Sequence, residues 1–254
     1  MSLTYNYSAA TDIGSRETNQ DNFSVCGDIP FFFTDENYIV PVSTSGDLPA
    51  LFAVCDGVGS RRDSAETAQL ALRLLCCEFR KYREATNKEE WVCEAVRCIQ
   101  KGIAEFLRET EKNGSNTLAF LVIDEDFFIF ANIGDSPAFI LKRNDGTVTE
   151  LSVRHNLETY HRLTGKPVGP DDSRYLLYAF GSNSFDLSKV VNIKDGVLNH
   201  GDCFIICSDG VSNALTEDEI TDMLRNGASA DDFTRIAAIA PEADNCTAIV
   251  IRLT

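Results

Sequence analysis

Four aspartates occur where apolar, strand-like runs of the sequence begin or end. Asp56, Asp135 and Asp209 each follow such a run, and Asp244 directly precedes the last one. Strands that pair in one sheet can bring their ends together, so these carboxylates are expected to lie close to one another. The alternative is that each is a turn residue, because aspartate bonds to nearby backbone amides and a following glycine accepts positive φ.

A cluster of these carboxylates would need cations and could hydrolyse a phosphate ester. Ionised carboxylates held close together cannot all stay charged without cations between them, and magnesium and manganese suit oxygen ligands. Two such ions about 3.5–4 Å apart can share a bridging carboxylate and acidify a water near neutral pH. This chemistry needs no nucleophilic side chain, and no sequence typical of an activated serine or cysteine is present. It does need a guanidinium to hold the phosphate.

Composition narrows the class of protein. The 254 residues fit one domain, and 23 Lys and Arg against 39 Asp and Glu give a net charge of −16. This charge repels nucleic acid and anionic lipid, so neither is expected as a partner. No long apolar run or export signal is visible. The nine cysteines lack CxxC spacing, which predicts buried free thiols in a reducing cytoplasm.

The elements that position the aspartates are predicted from periodicity. Apolar residues at helical spacing predict helices over 65–79 and 92–106, with Asn87 as the cap of the second, and a later pair over 217–225 and 231–240. Asn144-Asp145-Gly146 predicts a hairpin joining 138–142 to 147–151. The other predicted strands are residues 51–55, 117–123, 127–133, 203–207 and 247–253.

The order of these elements lacks the regular alternation of a doubly wound parallel sheet. It predicts an α+β fold, a layered sandwich of antiparallel sheets in a single domain over residues 1–254. Residues 156–173 contain two glycines and two prolines and are predicted as a surface loop that could overhang the site.

Five motifs in order resemble the type 2C (PPM) family of metal-dependent serine/threonine protein phosphatases. They are RETNQD at 16–21, FAVCDGVG at 52–59, ANIGDS at 131–136, ICSDG at 206–210 and DNCT at 244–247. The resemblance implies a four-layer α/β/β/α sandwich of two central antiparallel sheets flanked by helix pairs. It also implies hydrolysis of phosphoserine and phosphothreonine in protein substrates and admits a cognate Ser/Thr kinase as a partner. We expect a monomer.

The resemblance assigns metal ligands. Asp56 would bridge two Mn²⁺ or Mg²⁺ ions, the Gly57 carbonyl would bind one of them, and Asp209 and Asp244 would complete the ligands of the other. Asp135 matches a residue that helps to bind a third, weaker metal in family members. Its alternative role is a turn cap.

The resemblance also assigns the phosphate clamp. Arg16, five residues before Asp21, would hold the substrate phosphate, and the alternative is a surface ion pair. Asp21 would hold metal-bound water or act as a further ligand.

Departures from the family pattern keep a second hypothesis open. Gln20 stands where many members have glutamate, Ser60 follows Gly59 where a second glycine is usual, and Pro137 replaces an arginine. A phosphatase-like binding module that has lost turnover is therefore the alternative, although no metal aspartate is missing. Two other classes fail, because the Asp124-Glu125-Asp126 run lacks the following hydroxylic residue of an aspartate-nucleophile phosphatase and no EF-hand pattern is present.

Overall fold

Two antiparallel sheets form the centre of the protein. The computed structural model describes residues 4–29, 36–59, 61–181 and 185–254. Its strands are β1 (Tyr5–Asp12), β2 (Asn22–Val25), β3 (Tyr38–Ser45), β4 (Ala50–Cys55), β5 (Leu118–Asp124), β6 (Phe127–Ile133), β7 (Ala138–Leu141), β8 (Val148–Glu150), β9 (Asn192–Val197), β10 (Cys203–Cys207) and β11 (Cys246–Leu253). One sheet has the order β3-β1-β11-β10-β7-β8 and the other the order β2-β4-β5-β6-β9.

The described residues form six α-helices, five of which cover the outer faces of the sheets. They are α1 (Ser64–Phe79), α2 (Lys88–Thr110), α3 (Leu157–Thr164), α4 (Asp209–Ala214), α5 (Glu217–Arg225) and α6 (Ala230–Ala238). Helices α1 and α2 pack on the five-stranded sheet. Helices α4, α5 and α6 pack on the six-stranded sheet. The four-layer α+β sandwich predicted from the sequence is confirmed.

Strand β4 explains why the predicted strands are apolar at consecutive positions. All six of its residues are buried. Leu51 and Ala53 face the core beneath α1 and α2, whereas Phe52 and Val54 face the core between the two sheets. Successive side chains of a strand point to opposite faces, so a strand buried on both faces has no polar alternation.

Several boundaries agree with the sequence. Asn87 caps α2, since its side chain accepts a hydrogen bond from the backbone N–H of Glu90. Strands β7 and β8 pair antiparallel, as the turn at 144–146 predicts. The departure at Ser60 lies outside the described residues.

The prediction of an irregular loop over 156–173 is wrong in its first half. Helix α3 begins after Asn156, whose side chain accepts from Thr159, and ends at Gly165 with φ at +69°. None of the residues of α3 is buried. Leu157, Tyr160 and Leu163 recur at helical spacing, but the run is short and the glycines and prolines at 165–170 favoured a loop.

The prediction that the cysteines are buried free thiols is confirmed only in part. All nine cysteines are free, but Cys77 and Cys98 are exposed rather than buried. Among the described helices, none combines the length and the apolar character needed to cross a bilayer.

Candidate metal centre

The predicted carboxylates gather at one end of the sandwich, and both sheets contribute to them. Asp56 and Asp135 follow β4 and β6 of the five-stranded sheet. Asp209 follows β10 of the six-stranded sheet, and Asp244 precedes β11, which pairs with β10. The expectation that one sheet brings them together is therefore wrong, because strand ends of two facing sheets meet here.

Asp56 and Asp209 are in direct contact. Their carboxyl groups lie within hydrogen-bonding reach of each other. Removal from water, followed by the charge of Asp209, raises the pKa of Asp56 well above its usual range. Removal from water also raises the pKa of Asp209. The hydrogen bond with Asp56 lowers this pKa in part, and the negative charge of Asp244 raises it further. Two touching carboxyls can share a proton or a cation, but they cannot both remain bare anions.

Asp21 and Asp135 flank this pair and are buried. Burial raises the pKa of Asp21 to about 8, although hydrogen bonds with the hydroxyls of Ser208 and Thr247 act to lower it. Oδ2 of Asp21 has no hydrogen-bond partner within the described ranges. Burial, followed by the charge of Asp209, raises the pKa of Asp135 to about 7. A buried carboxylate oxygen without a partner is costly unless a proton or a cation reaches it.

Thr117 holds Asp56 in place, a role that the sequence analysis missed. Its backbone N–H donates to the carbonyl of Asp56 at 2.8 Å, and its Oγ1 accepts from the N–H of Asp56 at 3.1 Å. The same Oγ1 lies 2.7 Å from Oγ of Ser136, the neighbour of Asp135. Thr117 stands just before β5 and opposite the end of β4, so knowledge of the strand pairing would have identified it.

The turn after Asp56 touches the segment that carries Asp21. A Cβ on Gly57 would lie 2.6 Å from the carbonyl oxygen of Gln20, so no larger residue fits there. Gln20 donates from Nε2 to the carbonyl of Arg61 at 3.1 Å. The close approach of Gly57 to Gln20, the neighbour of Asp21, places Gly57 beside the cluster.

Arg16 lies at the same cluster. Its Nη2 donates to Oδ2 of Asp244 at 2.6 Å, and the two side chains are 49% and 40% exposed. Its other guanidinium N–H groups have no partner in the part of the chain that the structure describes. Arg16 therefore makes an ion pair, and its partner is one of the predicted metal ligands.

Asn245 is the second residue that the sequence analysis missed. Its side-chain amide is buried and bonds to backbone groups of the segment that carries Arg16. Those partners are more than 200 positions away in the chain, so no local pattern signals the role.

The cluster fits hard divalent cations by its chemistry. Its side-chain donors are carboxylate oxygens, the ligands that magnesium and manganese prefer, and Asp21 supplies a buried oxygen without a partner. Among the described residues, no three Asp, Glu, His or Cys side chains are arranged so that they could hold one ion. Asp244 is instead paired with Arg16. The donor set therefore suits these ions, and binding would require the side chains to close on them.

Solved structures of several protein phosphatases share this architecture. The catalytic domain of the serine threonine protein phosphatase PstP, in complex with two manganese ions, has a TM-score of 0.74 at 20% identity, with 99% of both chains covered. The S. agalactiae serine/threonine phosphatase has a TM-score of 0.75 at 20% identity, over 97% of this chain and 98% of that one. These similarities establish the fold.

Sequence comparison establishes the family. The serine/threonine phosphatase stp of Listeria welshimeri is 25% identical over 216 residues, which cover 81% of this chain and 85% of that protein. The family model Protein phosphatase 2C matches residues 40–240. The chain belongs to the protein phosphatase 2C family, as its five motifs indicate. Asp56, Asp135 and Asp209 lie inside the matched range, whereas Arg16, Asp21 and Asp244 lie outside it.

Proposed function

We propose that this phosphatase hydrolyses phosphoserine and phosphothreonine in proteins, with two Mn²⁺ or Mg²⁺ ions at the carboxylate cluster. The observation that carries the proposal is the contact of Asp56 with Asp209, two carboxyls with raised pKa values at the end of facing sheets. Family membership supports the reaction class. The names of relatives such as the Listeria phosphatase support the serine/threonine preference, and the two manganese ions of PstP support the cofactor.

The proposed ligands follow the geometry of the cluster. Asp56 is close to Asp209 and feels the charges of Asp21 and Asp135, which supports the proposal that its carboxylate would bridge two ions. The carbonyl of Gly57 would serve one ion, and Asp209 and Asp244 the other. Asp135 would hold a third ion more weakly.

The remaining residues act on the substrate and on water. When bound, the two ions supply the Lewis acidity that lowers the pKa of a water near the phosphate ester. Asp21 is buried, and its Oδ2 has no partner among the described residues; it would accept a hydrogen bond from that water. A guanidinium has five N–H donors, so Arg16 can hold two phosphate oxygens while it keeps or exchanges its bond to Asp244.

The test is hydrolysis of a phosphothreonine peptide and of p-nitrophenyl phosphate, with and without Mn²⁺. Asp209→Asn should lower metal-stimulated turnover about a hundredfold or more, because a lost ligand removes several kcal/mol of transition-state stabilisation. Activity that is independent of metal, or unchanged by the substitution, would refute the mechanism. A phosphotyrosine peptide should be a poor substrate.

Asp202→Asn is the matched control. Asp202 is fully buried and accepts hydrogen bonds from Lys142 and from the backbone of Arg143 and Asn199. It directly precedes β10, whereas Asp209 follows that strand. The variant loses a buried carboxylate at the far end of the same strand, so it should keep its metal-stimulated activity.

A further inference from the structure

We propose that Asn245 is a positioning residue that fixes the Arg16 segment against Asp244, so that the phosphate clamp and a metal ligand are set by one side chain. The inference rests on the proposed role of Arg16 as the clamp. It concerns a residue that touches neither the phosphate nor an ion.

Three hydrogen bonds join Asn245 to the segment. Its Nδ2 donates to the carbonyl of Ile13 at 2.9 Å and to that of Thr18 at 3.1 Å. Its Oδ1 accepts from the backbone N–H of Gln20 at 2.9 Å. The residue is 7% exposed. These bonds hold both ends of the stretch in which Arg16 lies.

The residue on the other side of Asp244 contacts the same segment. The backbone N–H and the hydroxyl of Ser15 both donate to the carbonyl of Ala243, at 3.0 and 2.7 Å. Ala243 and Asn245 therefore enclose Asp244 and bind the chain on both sides of Arg16. The 2.6 Å contact between Arg16 and Asp244 lies between these two attachments.

Only an asparagine satisfies this arrangement. The site requires one acceptor and two donors on a short side chain, and an amide is the group that offers both. Aspartate would keep the acceptor for Gln20 but would direct an anion at the two carbonyls. Alanine would remove all three bonds. The segment lies between β1 and β2 and has no strand or helix of its own, so without the amide its backbone would gain conformational freedom.

Without the Asn245 amide, the guanidinium of Arg16 would be less well ordered. Arg16 is half exposed, and its rotamers are restrained mainly by the backbone that carries it and by Asp244. Binding a phosphate with a mobile arginine costs the ordering entropy that Asn245 removes in advance. The loss should therefore fall on substrate binding and should depend on the presence of Arg16.

The experiment is a double-mutant cycle of Asn245→Ala and Arg16→Ala in the manganese-loaded protein, with a phosphothreonine peptide as substrate. Asn245→Ala alone should raise KM about tenfold. In the Arg16→Ala background it should change KM by less than about twofold, because the group through which it acts is absent. A KM effect of equal size in both backgrounds would overturn the proposal.

A second readout does not depend on activity. In the metal-free full chain, Asn245→Ala should speed hydrogen exchange at the amide of Gln20 and across residues 13–20, whereas Asp202→Asn should not. Unchanged exchange in that segment would also overturn the proposal. If Asn245→Ala does not fold, Asn245→Asp replaces it. This variant loses the bonds to Ile13 and Thr18 but keeps the acceptor for Gln20, so KM should still rise only when Arg16 is present, and exchange should speed up across residues 13–18 but not at the amide of Gln20.

Failure of the inference can be told from failure of the proposed function. If Arg16→Ala alone leaves KM unchanged, Arg16 is not the clamp, and both fall. If Arg16→Ala raises KM but Asn245→Ala lowers only kcat, by the same factor in both backgrounds, Asn245 is merely structural and only the inference falls.

Discussion

The guanidinium of Arg16 lies 2.6 Å from the carboxylate of Asp244, so the proposed phosphate clamp is paired with a proposed metal ligand. Both side chains are substantially exposed, 49% and 40%. Ion pairs of this exposure contribute between about 0 and 1 kcal/mol to stability. The pair is therefore better explained by the site than by a need of the fold.

Arg16→Lys should separate charge from geometry. Lysine keeps the positive charge but loses the planar fork that holds two phosphate oxygens. We expect KM for a phosphothreonine peptide to rise about tenfold, the equivalent of about 1.4 kcal/mol. The melting temperature should stay nearly unchanged. Steady-state kinetics and thermal unfolding measure the two quantities.

Arg235→Lys provides the control for this change. Arg235 pairs with Asp232 at 3.0 Å on helix α6, with exposures of 68% and 40%. The same substitution in that exposed pair should leave both KM and kcat unchanged. If Arg16→Lys behaves like Arg235→Lys, the clamp proposal is wrong.

Asp209→Asn should stabilise the metal-free protein. Asp209 lies against Asp56, and burial among other carboxyls raises the pKa of both. Replacing one carboxyl with an amide removes repulsion, which we expect to be worth about 1 kcal/mol in the absence of metal. Thermal unfolding in a chelator measures this gain.

Manganese should reverse the ranking of the two proteins. An ion that binds only the folded protein raises its free energy of unfolding by about 2.7 kcal/mol when the ion concentration is about 100 times the Kd. The wild type should gain that amount, and Asp209→Asn should gain much less. A metal-free variant less stable than the wild type would contradict the view that these carboxyls repel one another.

Gly14→Ala should damage the site through the backbone. Gly14 has φ at +62°, and a Cβ there would lie 2.2 Å from the carbonyl oxygen of Asp244. The substitution should cost about 1–2 kcal/mol for the left-handed conformation and about 1–3 kcal/mol more for the clash. Because the segment would have to move away from Asp244, KM should rise as well. Urea unfolding and peptide kinetics measure these effects.

Gly146→Ala isolates the conformational part of this cost. Gly146 has φ at +72°, and a Cβ there would meet nothing within 4 Å. The stability of Gly146→Ala should fall only by the conformational cost, and its KM should not change. Equal losses in the two variants would show that the approach of Gly14 to Asp244 is unimportant.

The sequence predicted the strands that are buried on both faces best. The bounds predicted for β6 and β10, 127–133 and 203–207, agree with the structure, because long apolar runs admit few other structures. It missed β1, β2, β3 and β9, of which β2, β3 and β9 are edge strands and β1 lies between β3 and β11. Strand β3 contains Pro41 and several exposed residues, which an edge strand tolerates. Strand β1 is largely buried, but polar Ser8 and Thr11 occupy two of its buried positions, so it has no continuous apolar run to signal it.

The site was predictable where it depended on strand ends and not where it depended on tertiary pairing. Asp56 and Asp209 stand out because each follows an apolar run. That the two runs belong to different sheets follows only from pairings such as that of Phe204 with Ile251. The partners of Asn245 lie at the opposite end of the chain, and no local pattern connects them.

His155 predicts an acid dependence of stability. Burial lowers its pKa to about 4, and the backbone N–H of Gly134 donates to Nδ1 at 3.2 Å, so the folded protein holds a neutral ring. In the unfolded chain the pKa is about 6.5. Between these values the unfolded state binds more protons, so stability should fall as the pH decreases from about 6.5 to about 4, by up to about 3 kcal/mol from this group.

His155→Asn tests this contribution. Asparagine can offer Oδ1 to the N–H of Gly134 where histidine offers Nδ1, but it does not titrate. The free energy of urea unfolding should therefore fall less between pH 7 and pH 4.5 in His155→Asn than in the wild type. The control is His200→Asn at an exposed position, whose slope is compared with that of His155→Asn. If the His155→Asn slope equals that of the wild type, His155 is not held neutral in the folded protein.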